Sequence, residues 1–200
     1  MAISLLAVAG CSAPEEGNNV SSEAKAPEST ADSSTLKSNE GSKPDFVPAD
    51  FSVPRLAEGD GFKLVPLGPD LVKIDYEAYM SSIEHLQKTF TRSDSWPTEG
   101  ISDADAMRDM QNEARRFNNR ESFAYGVLTP DGSRELGSVY VRPSKKPGYD
   151  AQVMMWVTKA DFDSGFDAVL FDWVKKWVGE SWPLTNVAYP GREIEWKAWD

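Results

Sequence analysis

Ala151-Gln-Val-Met-Met-Trp-Val-Thr-Lys-Ala-Asp-Phe-Asp-Ser-Gly-Phe-Asp-Ala-Val-Leu-Phe-Asp-Trp-Val-Lys-Lys-Trp-Val178 reads as a strand, a bend and a helix in direct succession. Ala151 to Thr158 is a short, nearly continuous apolar run, the pattern of a buried strand. The aspartates, Ser164 and Gly165 break it. From about Ser164 to Val178 the apolar residues Phe166, Val169, Leu170, Trp173, Val174 and Trp177 recur every three or four positions, so a helix is expected, with Ser164 as its cap and Gly179 as its stop. Asp172 and Lys176 are expected to pair on its wet side.

Two strands are predicted immediately upstream, Ser122 to Thr129 and Glu135 to Arg142, joined by Pro130-Asp131-Gly132, a hairpin signal. Before them come two helical patterns. One is capped at Asp75 and carries Tyr76, Tyr79, Met80, Ile83, Leu86 and Phe90. The other starts at Ser102, with Asp105 three residues on as a capping-box analogue, and buries Ala106, Met107, Met110, Ala114 and Phe117. A first strand is read at Phe62–Pro66 and a last one at Thr185–Tyr189. Three antiparallel strands embedded in this order imply an α/β (α+β) fold: a mixed, mostly antiparallel sheet flanked by helices on both faces.

The chain divides by composition. From Ser12 to Asp50 the only aromatic is Phe46, whereas all seven tryptophans and six tyrosines lie beyond it. Residues 12–50 are therefore read as a disordered acidic tether and 51–200 as the domain. Net charge is −11, of which the tether's eight acids and three lysines account for −5. Neither part has the basic excess that nucleic acid rewards, so no nucleic-acid partner is expected.

Residues 1–11 end in Val8-Ala9-Gly10-Cys11, which resembles the lipobox of bacterial lipoproteins. The apolar run before it is too short to span a bilayer and fits the end of a secretory signal, whose positively charged opening is expected upstream of Met1. The resemblance implies a lipid on Cys11, a membrane partner through that lipid, and a place in the bacterial cell envelope, at the outer membrane or its periplasmic face. A coil as long as the tether would hold the domain on the order of 30 Å from its anchor. Cys11 is the only cysteine, which excludes thiol catalysis and cysteine-ligated metal sites once it is lipidated.

Beyond the order of elements, Phe62-Lys-Leu-Val-Pro-Leu67, Arg120-Glu-Ser-Phe-Ala-Tyr-Gly-Val-Leu128, Leu136-Gly-Ser-Val-Tyr-Val141 and the strand–bend–helix unit resemble the GNAT N-acetyltransferase family over about 140 residues. That resemblance implies acyl transfer from acetyl-CoA to an amine. The pantetheine arm would lie along Trp156 and Val157, and the pyrophosphate on Ser164, Gly165 and Phe166, where free N–H groups and the helix dipole favour anions. Tyr189 is the nearest stand-in for the tyrosine acid of many members. Aligning Gly165 with the first glycine of the family's Gln/Arg-x-x-Gly-x-Gly/Ala motif puts Phe162 at the amide or basic position and Asp167 where a small residue belongs. One like-charge contact at 4 Å costs about 4 kcal/mol at an effective dielectric near 20, so Asp161, Asp163 and Asp167 oppose a diphosphate there. Two readings stay open: an acetyltransferase, and a non-catalytic envelope module that kept the fold, lost the cofactor and binds a small molecule or an envelope protein.

Asp161-x-Asp163-x-Gly165-x-Asp167 also resembles part of a calcium loop but lacks the acid that completes one; the aspartates are read as partners of the helix N-terminus, and no metal is expected. His85, the only histidine, is read as an edge residue. Trp196 and Trp199 are read as packing the sheet edge, with an exposed platform as the other reading. Arg192, in the Tyr189-Pro-Gly-Arg192 turn, is a candidate to hold a carboxylate or phosphate, or to pair with Glu195.

Overall fold

A computed structural model describes residues 46–200. Cys11 and the tether up to residue 45 lie outside the described residues. One six-stranded sheet runs in chain order: β1 Ala57–Gly59, β2 Phe62–Pro66, β3 Phe123–Leu128, β4 Glu135–Pro143, β5 Ala151–Val157 and β6 Val187–Ala188. Every neighbouring pair is antiparallel except β5 and β6, which are parallel. The helices are α1 Val72–Met80, α2 Ile83–Leu86, α3 Asp103–Asn118, α4 Lys159–Asp163, α5 Phe166–Ser181 and α6 Trp196–Trp199. This is the expected mixed, mostly antiparallel α/β architecture.

Both faces of the sheet are covered, which is why β3 is buried at all six positions and reads as a continuous apolar run. Leu64, Tyr125, Val127, Val139, Val141, Val153 and Met155 face Leu170, Val174, Trp177 and Val178 of α5. Ala124, Tyr140 and Trp156 point the other way, into a second cluster with Ala78 and Tyr79 of α1, Leu86 and Met110. The β3–β4 ladder slips between Val127 and Leu128, so Val127 opposes Gly137 while Leu128 opposes Glu135. This bulge lets Leu136 and Val139, three apart, share the α5 face. Gly137 is required here: a Cβ would stand 2.0 Å from the Trp156 carbonyl oxygen.

Several expectations need correction. Asp75 caps nothing: α1 begins at Val72, and Asp75 lies inside it, 5% exposed. The Tyr76–Phe90 pattern is not one helix but breaks at Ser81–Ser82, where Ser81 Oγ bonds the Ala78 carbonyl and Ser82 Oγ accepts the Lys159 N–H. The expected cap at Ser164 is replaced by an extra helix, α4. Thr158 caps it by accepting the Asp161 N–H, and α5 follows Gly165, whose φ is 84°. Gly179 stays helical; the stop comes at Trp182, drawn into extended backbone as its ring packs against Phe123 and Tyr125. Val169, placed on the buried face, is 55% exposed, and Lys175 rather than Lys176 holds an acid, Glu193. The last strand shrinks to Val187–Ala188, and β1 was not anticipated. Phe46 and Val47, counted into the tether on composition, belong to the domain: Val47 is 1% exposed and Phe46 stacks on Phe123.

Ser102 does cap α3 as read, accepting the Asp105 N–H at 3.1 Å. In urea titrations Gly137→Ala is expected to lose about 3 kcal/mol or more, because the added methyl forces β5 off β4.

Candidate functional site

β5 and β6 meet only at Ala151↔Val187 and Gln152↔Ala188. The contact is pinned by Asp150, whose carboxylate accepts the N–H groups of Thr185 and Asn186 at 2.9 Å each. The chain then turns at Tyr189–Ile194, so β5 from Val153 to Val157 has no strand partner on that side. The gap opens into a cleft of about 270 Å³ beside His85, Lys88, Trp156, Val157, Asp167 and Arg192. A larger cavity of about 500 Å³ lies next to it, over Asp75, Tyr79, Trp96, Glu113, Tyr140 and Arg142. Phe90, Met154 and Trp196 border both.

The predicted residues fall around the smaller cleft. Trp156 and Val157 line it, and Trp156 Nε1 donates to the Tyr140 hydroxyl at 3.3 Å. Arg192 reaches the first turn of α5 and grips both carboxylate oxygens of Asp167, the second bond at 2.7 Å. Its partner is therefore not Glu195. Asp161 and Asp163 are also taken, by Arg134 and Lys159. The three carboxylates of the bend face three different cations. Tyr189 lines neither space: it is buried against Phe171 at 5.6 Å, and burial, then Glu193, push its hydroxyl up to about 12. Phe166 packs on Phe62. His85 is half-buried beside Phe162, and burial, then Lys159, lower its pKa.

Coenzyme A would need free main-chain donors for its diphosphate. The Ser164 and Gly165 N–H groups are already bonded to the carbonyls of Ala160 and Phe162, at 3.2 and 3.0 Å. The Asp167 carboxylate and its arginine fill the first turn of α5. Ser164 and Gly165 therefore offer a diphosphate no main-chain donor.

The larger cavity holds what the sequence reading missed. Asp75 lies at its wall, and Glu135, 1% exposed, lies against Asp75 from β4. Glu135 Oε1 accepts the Ser138 hydroxyl at 2.8 Å, while Oε2 has no hydrogen-bond partner among the described residues. A Cβ at Gly126 would be in ordinary contact with this carboxyl group, at 3.5 Å, and tighter against Leu67 Cδ2, at 3.1 Å. Burial raises the pKa of both acids above the carboxylate range; Asp75 further opposes ionisation of Glu135, whereas the hydrogen bond from Glu135 draws the Asp75 value back down and Glu113 and Asp109 push it up. Tyr79, Phe90, Trp96 and Tyr140 form a continuous wall, with ring centroids 5.2 to 6.2 Å apart.

No family model and no curated protein sequence matches this chain. Among solved structures, the ribosomal-protein-S5-alanine acetyltransferase of Vibrio fischeri is similar at TM-score 0.49 and 9% identity, over 62% of this chain and 67% of that one. A candidate GNAT-family acetyltransferase from Bordetella pertussis gives 0.48 and 13%, over 68% and 78%. A candidate ribosomal-protein-serine acetyltransferase from Vibrio cholerae gives 0.44 and 14%, over 56% and 59%. With each of these TM-scores below 0.5, the reading of the site rests on this chain's own residues.

Acids with raised pKa hold protons in the fold that the unfolded chain releases once pH exceeds about 4. Their protonated state thus favours the fold at low pH, and stability is lost as pH rises through the raised values. Unfolding free energy is expected to fall from pH 5 to pH 8, and Glu135→Gln to flatten that slope; a slope unchanged in the variant would remove the pair as its source.

Proposed function

We propose that this is a lipid-anchored bacterial envelope protein whose folded part is a GNAT-like domain that binds a small molecule without using acetyl-CoA. The observation that carries this is the bend at 158–167. The Ser164 and Gly165 N–H groups are spent on α4, and Asp167 with Arg192 stands where the diphosphate would go. The compartment accords with it, since a lipoprotein works outside the cytoplasm that supplies acetyl-CoA. The space that remains is the larger cavity, whose volume of about 500 Å³ lies within the range of small-molecule sites.

A second reading, N-acetyl transfer from acetyl-CoA to an amine, is favoured by one feature. The unpaired edge of β5 and the larger cavity meet at Met154, the arrangement that a donor and an acceptor approaching from two sides would need. Calorimetric titration of the full chain with acetyl-CoA separates the two. No heat of binding at millimolar cofactor is expected; micromolar affinity would establish the second reading in place of the first.

The anchor rests on Val8-Ala9-Gly10-Cys11 and the polar segment after it. Radiolabelled palmitate is expected to enter the wild-type chain in bacterial cells and not Cys11→Ala; equal label in both would dismiss the lipid.

A further inference from the structure

Asp75 and Glu135 are the two carboxyls in the described structure that burial has separated from any cation. No lysine or arginine lies within ion-pair distance of either, and no positive charge contributes to their ionisation. The guanidiniums around the larger cavity have other partners: Arg92 binds Asp200 through two bonds of 2.6 and 2.9 Å, Arg116 and Arg142 share Glu113, and Arg142 also covers the Tyr140 ring at 4.7 Å. An acid buried without a cation is costly, and one facing an open, ligand-sized space is the pattern of a site that its ligand completes.

Resting on the reading of the domain as a small-molecule binder, we propose that the cavity over Asp75 takes a small methylated ammonium ion, whose charge Asp75 balances and whose methyl groups pack on the rings of Tyr79, Phe90 and Trp96. The walls argue for methyl groups. A primary ammonium brings three N–H donors that each need an acceptor, and the aromatic rings offer faces instead. A methylated ammonium has little to lose on leaving water and gains from ring quadrupoles. Charge is conserved in the exchange. As the cation enters, the Asp75–Glu135 pair gives up one proton to solvent, so the cavity's net charge is unchanged.

Thermal unfolding of the full chain in 10 mM choline chloride, against sodium chloride at equal ionic strength, tests this. Choline is expected to raise Tm by about 3 °C, and ethanolamine, which keeps the hydroxyl but lacks the methyls, by less. Asp75→Asn is expected to lose the shift with its near-ultraviolet circular dichroism intact. Glu135→Gln is expected to keep it, because Asp75 still gives up the one proton that balances the cation; a general loosening of the cavity would abolish it. A shift equal to that of sodium chloride, one retained in Asp75→Asn, one lost in Glu135→Gln, or one as large for ethanolamine overturns the proposal. If Asp75→Asn does not fold, the comparison of choline with ethanolamine in the unaltered chain decides alone. Acetyl-CoA titration tests the underlying reading separately, so either can fail without the other.

Discussion

A parallel pair that closes for only two residues shapes the functional half of this molecule. Had β6 continued alongside β5, the edge from Val153 to Val157 would be sealed and the sheet closed on that side. Instead the chain leaves at Tyr189, and the tight turn at 189–194 fills part of the opening it creates. Gly191 belongs there because its φ is 75° and a Cβ would strike the Trp196 ring, 2.5 Å away. Trp196 in turn lies under the Arg92 guanidinium, at 4.2 Å from the ring centroid. The segment that departs from the sheet thus returns as a wall of both cavities.

The charges near that opening follow two different rules. At the bend, where solvent is close, each carboxylate meets its own cation: Asp161 with Arg134, Asp163 with Lys159, Asp167 with Arg192. Such pairs are worth little individually when exposed. Asp167 and Asp161, whose side chains are 12% and 13% exposed, each gain more from a two-bond arginine than the exposed Asp163 does from Lys159. Their combined effect is local: they spend the positive charge that an incoming diphosphate would use. Under the opposite face of the sheet, Asp75 and Glu135 have no cation and hold protons instead.

Much of the architecture was legible because local chemistry dictates it. Phe62–Pro66 and the Pro130-Asp131-Gly132 hairpin follow from strand alternation and turn residues, and Ser102 caps α3 by a bond to a residue three away. The misreadings share a cause, which is that the determining partner is distant in sequence. An aspartate among apolar residues at the start of a helix looks like a cap. Only the approach of β4, sixty residues later, turns Asp75 into a buried acid. Arg192 offered Glu195 as a neighbour, yet its partner is 25 residues upstream. Phe46 and Val47 sit in a polar segment whose composition hides them until Arg120 holds the adjacent carbonyls of Pro48 and Phe51. The four rings of the larger cavity come from three separate stretches and carry no common spacing.

Glu135 is poorly explained as a stabilising residue. Replacing buried ionisable pairs by apolar side chains of similar volume is often neutral or favourable to stability, so burial alone gives no reason for two acids there. The surroundings are nonetheless fitted to them. Ser138 supplies a hydroxyl, and the β-bulge brings Glu135 and Ser138, three apart, to the same face. A leucine at position 135 would fill much of the same volume without needing Ser138 and would leave Asp75 as a lone neutral acid. What the second carboxyl adds is a proton that can be shared and then released when a positive charge arrives beside Asp75. An aromatic wall on one side and an ionisable pair on the other give the cavity two means of holding a cation.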